Sequence, residues 1–316
     1  MSSATLAYST NTDSDDISIV DTVQNREIER IPVGGSPRGS VKFDRAKAFG
    51  YVSNCAGNTI SVIDVSAQRE VAKIAVGLAP RGVAISEDDK YAFVSNSGDN
   101  SISVVDLTRR TQAGAIATGK NPRHMSIVPG KGMVAVAVWG GDAIGLFRYT
   151  GEIGATVKAS PRMVDLGRDS RPYSVTVDAT GSKVYVANTQ ADYMSIVDLT
   201  TLQAEHLKVG YGGRAVALTQ DGKYAFVTVE TENAVAVIDL ASSKVATKVE
   251  VGGSPRGIAL DQVSSRMFIP PFSRAVSGVG ERNALSVFDV SNPLRPRFER
   301  AIGVGLGPCS VSLLSR

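Results

Sequence analysis

The chain has 316 residues, 43% of them hydrophobic and 21% charged, with a net charge of +3. That is enough apolar material for a real core and too much for a disordered chain, and at roughly 150 residues per domain the length suggests about two domains. The charge is too small to point to nucleic acid, two cysteines (Cys55, Cys309) exclude a disulfide scaffold or a four-cysteine zinc site, and two histidines exclude a histidine-rich metal centre.

The first residues, MSSATLAYSTNTDSDD, carry neither a basic nor an apolar leader segment, so a cytoplasmic location is the expectation; a secreted form with its leader removed would read the same way. The longest apolar run, Met133 to Trp139, is far short of the ~20 residues of a membrane span. No membrane association is expected.

From the N-terminus, Leu6–Asn11, Ile17–Asp21 and Arg26–Val33 alternate apolar and polar residues as half-buried strands do. The same phrase then recurs: an apolar strand ending in Asp, a polar stretch, V-G, then P-R-G-V-A and K-Y-A-F-V-S-N. ISIVD, TISVID, SISVVD, MSIVD, AVAVID and ALSVFD end at Asp21, Asp64, Asp106, Asp198, Asp239 and Asp289, and AIGLFR places Arg148 in the same slot. Successive anchors are 41 to 50 residues apart. Seven units of about 42 residues with four strands each are the signature of propeller blades. In one unit the strands fall at Arg81–Ser86, Tyr91–Asn96 and Ser101–Leu107, and the fourth strand ends near Ala75 or Thr118 in neighbouring units. The recurring Asp reads as a turn-maker at the corner after the third strand.

The ends are complementary. Pro308–Leu314 reads as a first strand and the N-terminus supplies strands two to four. The expected fold is all-β: one seven-bladed propeller domain over 1–316, closed by one C-terminal and three N-terminal strands, with first strands beginning near residues 37, 80, 122, 172, 213, 255 and 308. Closure removes exposed edges. One ring of inter-blade layers replaces the two domains that length alone suggests.

The phrases G-x-x-P-R-G-V-A, G-K-Y-A-F-V-S-N and S-I-S-V-V-D resemble the YVTN family of β-propeller repeats over essentially the whole chain. The resemblance implies the fold. Proteins with such repeats include surface-layer proteins, nucleic-acid binders and partners of redox enzymes, and related propellers include lactonases and streptogramin lyases, so it does not choose a function.

Chemistry is expected on the upper face, where first strands start. The residue after the first-strand proline is Arg38, Arg81, Arg123 or Arg256, Arg214 follows glycine in that place, and Tyr173 and Cys309 occupy the other two. Five guanidiniums round one mouth repel each other and suit carboxylate or phosphate. The bland alternative pairs them with loop acids: Asp13, Asp15, Asp16, Asp99, Asp142, Asp192, Glu230 or Glu232.

Insertions 149–171 (with Lys158, Arg162, Arg168 and Asp169) and 271–283 (with Arg274, Glu281 and Arg282) read as upper-face loops, the second with Gly278 and Gly280 as hinges. The alternative is neutral drift. Trp139 stands out as replacing the strand-end Asn, His124 as replacing the Gly of P-R-G, and Glu230 and Pro270-Pro271 as departing from the pattern at strand ends.

His124, Tyr173 and Glu230 are the catalytic candidates, His124 as acid or base; a hydrogen-bonded inter-blade histidine is the alternative. Arg38, Arg81, Arg123, Arg214, Arg256, Trp139, Arg274 and Cys309 are the ligand-binding candidates. Cys309 flanked by arginines would ionise more readily; a buried inert thiol is the alternative. His206 carries no role.

The functional expectation is an upper-face pocket for a small anionic metabolite, with lyase, isomerase or hydrolase chemistry open to it and no metal or cofactor. The competing expectation is a non-catalytic scaffold for a protein or nucleic-acid partner, or an envelope repeat protein. The chain is expected as a monomer or weak oligomer.

Overall fold

A computed structural model describes residues 5–149, 160–272 and 282–315. Among them lie seven antiparallel four-stranded sheets, arranged as the blades of a propeller. Blade 1 is β28 (Pro308–Ser315), β1 (Thr5–Asn11), β2 (Asp16–Asp21) and β3 (Arg26–Pro32). Its two chain ends zip together from Thr5↔Ser315 to Thr10↔Ser310. Blades 2 to 7 each use four consecutive strands. Their innermost strands are β4 (Pro37–Phe43), β8 (Pro80–Ile85), β12 (Pro122–Val128), β16 (Pro172–Val177), β20 (Gly213–Leu218) and β24 (Ala259–Asp261).

The alternation in the sequence becomes packing between blades. Tyr8, Ile17 and Ile19 of blade 1 meet Val41, Val52 and Ile63 of blade 2 in one buried cluster. Phe93 and Val104 of blade 3 likewise join Met125 and Phe147 of blade 4. Each such fully buried side chain contributes about 1.5–3 kcal/mol, so the ring is held by its inter-blade seams.

The P-R-G phrase has a steric cause. A methyl on Gly82 would lie 2.9 Å from His124 Cα, and one on Gly257 2.8 Å from Ser310 Cα. Innermost strands of neighbouring blades approach too closely there for most side chains. The V-S-N and S-I-S phrases form latches within blades: Asn54 Nδ2 donates to Ser61 Oγ at 2.8 Å, and Asn11, Asn96 and Asn188 do the same to Ser18, Ser103 and Ser195. The repeat aspartates close the lower corners. Asp64 Oδ1 accepts from Ser66 and Ala67 N–H, and Asp239 Oδ1 from Ala241 and Ser242.

Three expectations need correction. The sixth first strand, β24, joins its ladder at Ala259, not Pro255; Pro255 instead makes a single bridge to Pro271. Trp139 does not replace the strand-end Asn. Val138 does, pairing Ala143 as Asn96 pairs Ser101, and Trp139 follows it. The first insertion does not leave from the upper side. It follows β14 (Ala143–Arg148), whose far end is a lower corner, and Tyr149 there lies against Glu87. Its last residues, from Leu166, lie at the upper face, where Leu166 N donates to Asp142 O. Lys158, Arg274, Gly278, Gly280 and Glu281 lie outside the described residues. Among the described residues no helix is long and apolar enough to cross a membrane.

Candidate functional site

The upper mouth has two tiers. The first is the second residue of the innermost strands: Arg38, Arg81, Arg123, Tyr173, Arg214 and Cys309, with Arg256 in the segment before β24. The second tier is the residue after each second strand. Ser97 follows β9 (Tyr91–Asn96), Trp139 follows β13 (Met133–Val138) and Glu230 follows β21 (Tyr224–Val229). The tiers meet: Arg81 Nε donates to Ser97 Oγ at 3.2 Å, and in the equivalent place Arg214 donates to Glu230.

Glu230 therefore decides the charge on one side. It takes Arg214 in an ion pair and Arg256 Nε at 2.8 Å, and Ser254 Oγ also donates to it. Burial pushes its carboxyl up, but Arg214, Ser254 and Arg256 outweigh burial and hold it below the ordinary glutamate value. Of the loop acids considered, it alone among the described residues pairs with the ring. Asp142 serves Arg171 at 3.8 Å and Asp192 serves Lys208 at 3.2 Å. Asp99 and Asp15 accept from the backbone of Leu78 and Ser36.

The other side stays positive. Arg38, Arg81 and Arg123, on blades 2 to 4, have no carboxylate partner among the described residues. The Nε–H groups of Arg38 and Arg123 are buried and donate to no described residue. Burial, then the charges of Arg81, Arg214 and Arg38, push Arg123 down to about 10, so it remains charged at neutral pH.

Of these three, Arg123 has aromatic rings beside it, and rings also lie against the acid-paired Arg171, Arg214 and Arg256. Arg123 lies over Trp139 (5.4 Å to the centroid) and Tyr173 (5.5 Å), and Arg214 takes another approach to Tyr173 at 4.7 Å. Arg171 covers Trp139 at 5.0 Å and Arg256 covers Phe272 at 3.9 Å. Trp139 is fixed by donating Nε1–H to Thr189 Oγ1 at 3.0 Å. Such contacts are worth roughly 0.5–1 kcal/mol, more when water is excluded. They orient a cation without neutralising it.

His124 lies below the mouth in the channel wall, its ring 5.1 Å from that of Tyr173. Burial, then Lys42, Arg123, Arg81 and Arg214, bring it down to about 3, so it is neutral at physiological pH. Tyr173 is itself buried at 5% exposure. Cys309 is buried and Cys55 partly so, and both are free thiols. Arg162 begins the outer strand β15 (Arg162–Asp165), Arg168 and Asp169 form an exposed pair at 3.6 Å, and Arg282 is exposed near the end of the second insertion. His206 sits on an outer strand, 3.0 Å from Ser195 Oγ. Among the described residues no cluster of His, Cys, Asp or Glu could hold a metal ion.

Sequence reading missed Lys42, Arg171 and Phe272. Lys42 follows a shift in the β4 ladder, so that it pairs Tyr51 as Ala84 pairs Phe93 and Thr176 pairs Tyr185. The extra residue, Ser40, was visible as P-R-G-S-V-K against P-R-G-V-A.

Two family profiles match parts of the chain: a YNCE-like beta-propeller over residues 139–265 and the cytochrome D1 heme domain over residues 2–106. No curated protein matches the chain. Among solved structures, a protein from Lactobacillus plantarum has a TM-score of 0.81 at 14% identity, covering 99% of this chain and 100% of its own. The periplasmic gluconolactonase of Pseudomonas aeruginosa has a TM-score of 0.80 at 16% identity, covering 98% and 99%. A putative 6-phosphogluconolactonase from Bacteroides uniformis has a TM-score of 0.80 at 13% identity, covering 99% and 100%. Identities this low carry the fold alone. Together with the seven four-stranded blades and the recurring phrase, the YNCE-like match supports a YVTN-type β-propeller repeat protein.

Proposed function

We propose that the upper mouth binds a small metabolite carrying carboxylate or phosphate groups, through Arg38, Arg81 and Arg123. The observation that carries this reading is the pair of buried Nε–H groups on Arg38 and Arg123 with no acceptor among the described residues. Leaving such donors unmade costs about 1–3 kcal/mol each, more for charged groups, and a bound oxyanion removes that cost. The opposite side, where Glu230 offsets half the charge of Arg214 and Arg256, gives the ligand's uncharged part somewhere to lie. The gluconolactonase and putative 6-phosphogluconolactonase among the structural neighbours are compatible with an anionic sugar derivative.

Binding is favoured over acid–base catalysis by the state of the catalytic candidates. His124 is neutral and Glu230 is held by two guanidiniums, so neither is poised to exchange a proton near neutrality. The cytochrome D1 match raises a haem-type group, and the residues do not fit a histidine-ligated one. The only two histidines are His124, in the channel wall, and His206, on an outer strand. Neither stands on the open upper face.

The test is thermal unfolding with inorganic phosphate at constant ionic strength. Phosphate at a hundred times its dissociation constant stabilises by about 2.7 kcal/mol. The Arg38→Ala/Arg123→Ala double variant is expected to lose that rise while remaining folded. An equal rise in both proteins removes the reading.

A further inference from the structure

Below the arginines the channel widens into a cavity of about 150 Å³, room for about five waters at roughly 30 Å³ each. Its shape follows from the sequence. At the third position of the innermost strands stand Gly39, Gly82, Ala215 and Gly257 beside Ser174 and Ser310, and His124 is the one bulky member. At the level that Lys42 occupies, the register places small residues such as Ala84, Thr176 and Ala217 on other blades. One lysine and one histidine thus project into a space that small residues otherwise keep open.

The polar groups of this wall divide sharply. Ser40 and Ser310 share a hydrogen bond at 2.9 Å, Thr176 donates to Val216 O at 2.7 Å, and Arg256 is held by Glu230. The side chains of Lys42, His124 and Ser174 make no hydrogen bond or ion pair with any described residue. Ser174 is only 6% exposed, and its Oγ is buried with no partner. Among the described residues no Asp or Glu lines the cavity. Lys42 also lines a second cavity that opens on the lower face between blades 1 and 2, which gives an approach that avoids the arginine mouth.

We propose that the channel interior is a binding site for one small monovalent anion, held by the Lys42 ammonium, with Ser174 Oγ–H and a His124 ring N–H as neutral donors and entry from the lower face. A single positive charge and two uncharged donors match one negative charge. Burial pushes the Lys42 ammonium down, and an anion beside it offsets that penalty. The site is separate from the mouth and does not depend on the metabolite reading.

Crystals of the whole protein soaked in sodium bromide test it by anomalous diffraction. Wild type is expected to show a bromide peak in the channel within hydrogen-bonding reach of Lys42 Nζ. Lys42→Met should abolish the peak and Ser174→Ala should reduce its occupancy several-fold, while Arg38→Ala/Arg123→Ala should keep it even if phosphate binding at the mouth is lost. A wild-type channel with no bromide overturns the proposal, as does a peak of undiminished height in Lys42→Met. If Lys42→Met does not fold, an unchanged peak in Ser174→Ala is the overturning result.

Discussion

Arg256 Nε donates to Glu230 Oε1 at 2.8 Å, and this contact splits the mouth into two unlike halves. Blades 6 and 7 present guanidiniums already matched to a carboxylate. Blades 2 to 4 present three that have no carboxylate partner among the described residues. A symmetric ring of charge would attract any anion from any direction, whereas this arrangement fixes where a negative group settles.

Removing the carboxylate should cost stability at neutral pH. Glu230→Gln leaves Arg214 and Arg256 facing each other with no charge between them, in a setting where the three side chains are 16–21% exposed. A loss of about 1–3 kcal/mol is expected from urea unfolding. The pH dependence has a definite sign. Glu230 is held below its ordinary value in the folded state, so its contribution is full above the ordinary glutamate range and declines as pH falls through the folded value. Glu230→Gln should therefore lose stability chiefly above that range and converge on wild type in acid. A variant equally destabilised at every pH contradicts this.

His124 should stay silent where histidines ordinarily titrate. Its folded value of about 3 keeps the ring neutral while the unfolded chain protonates it near its usual value of 6.5. Ring NMR signals should be constant between about pH 5 and pH 8. Because the unfolded state binds the proton first, His124 withdraws stability as pH falls below 6.5 toward 3. A mid-range titration of this ring would show that the channel does not exclude charge from it.

The inner ring should reject even one methyl group where strands touch. In Gly82→Ala the new Cβ would lie 2.9 Å from His124 Cα and 3.0 Å from Arg123 O, both backbone atoms. About 1–3 kcal/mol of destabilisation is expected. Gly303, exposed on an outer strand with nothing within 4 Å of a new Cβ, is the control, and Gly303→Ala should stay within about 0.5 kcal/mol. Equal costs at the two sites would mean that close strand approach is not what the P-R-G glycine serves.

The latch between second and third strands can be measured in one blade. Asn96, fully buried, donates to Ser101 Oγ at 3.0 Å and Ser103 Oγ at 2.9 Å. Asn96→Ala leaves those hydroxyls short of a donor and should cost about 1–3 kcal/mol. A neutral result would separate the V-S-N phrase from stability.

Most of the architecture was legible because each blade repeats the same physical solution. Tyr91–Asn96 forms β9 as read, and the closing strands meet in the expected order. What failed were local departures from the repeat. Counting along the chain sets Trp139 one place early, because the strand ends at Val138 by its pairing with Ala143. The first insertion was put on the wrong face because its position relative to Arg148 was not carried through to the corner that Arg148 ends. Lys42 was passed over because one extra residue in P-R-G-S-V-K shifts the ladder and turns it into the channel. The division of the arginines was not legible either. Eight loop acids were equal partners in sequence, and only the fold shows that the residue after the second strand, Glu230, is the one that reaches the ring.

The most direct measurement is a crystal structure of the protein with inorganic phosphate. The account predicts phosphate density at the blade 2 to 4 side of the mouth, with oxygens within hydrogen-bonding distance of Arg38 and Arg123 Nε and with Glu230 still bound to Arg214 and Arg256. Phosphate bound elsewhere, or those guanidiniums turned away from the opening or onto protein acceptors, would contradict it.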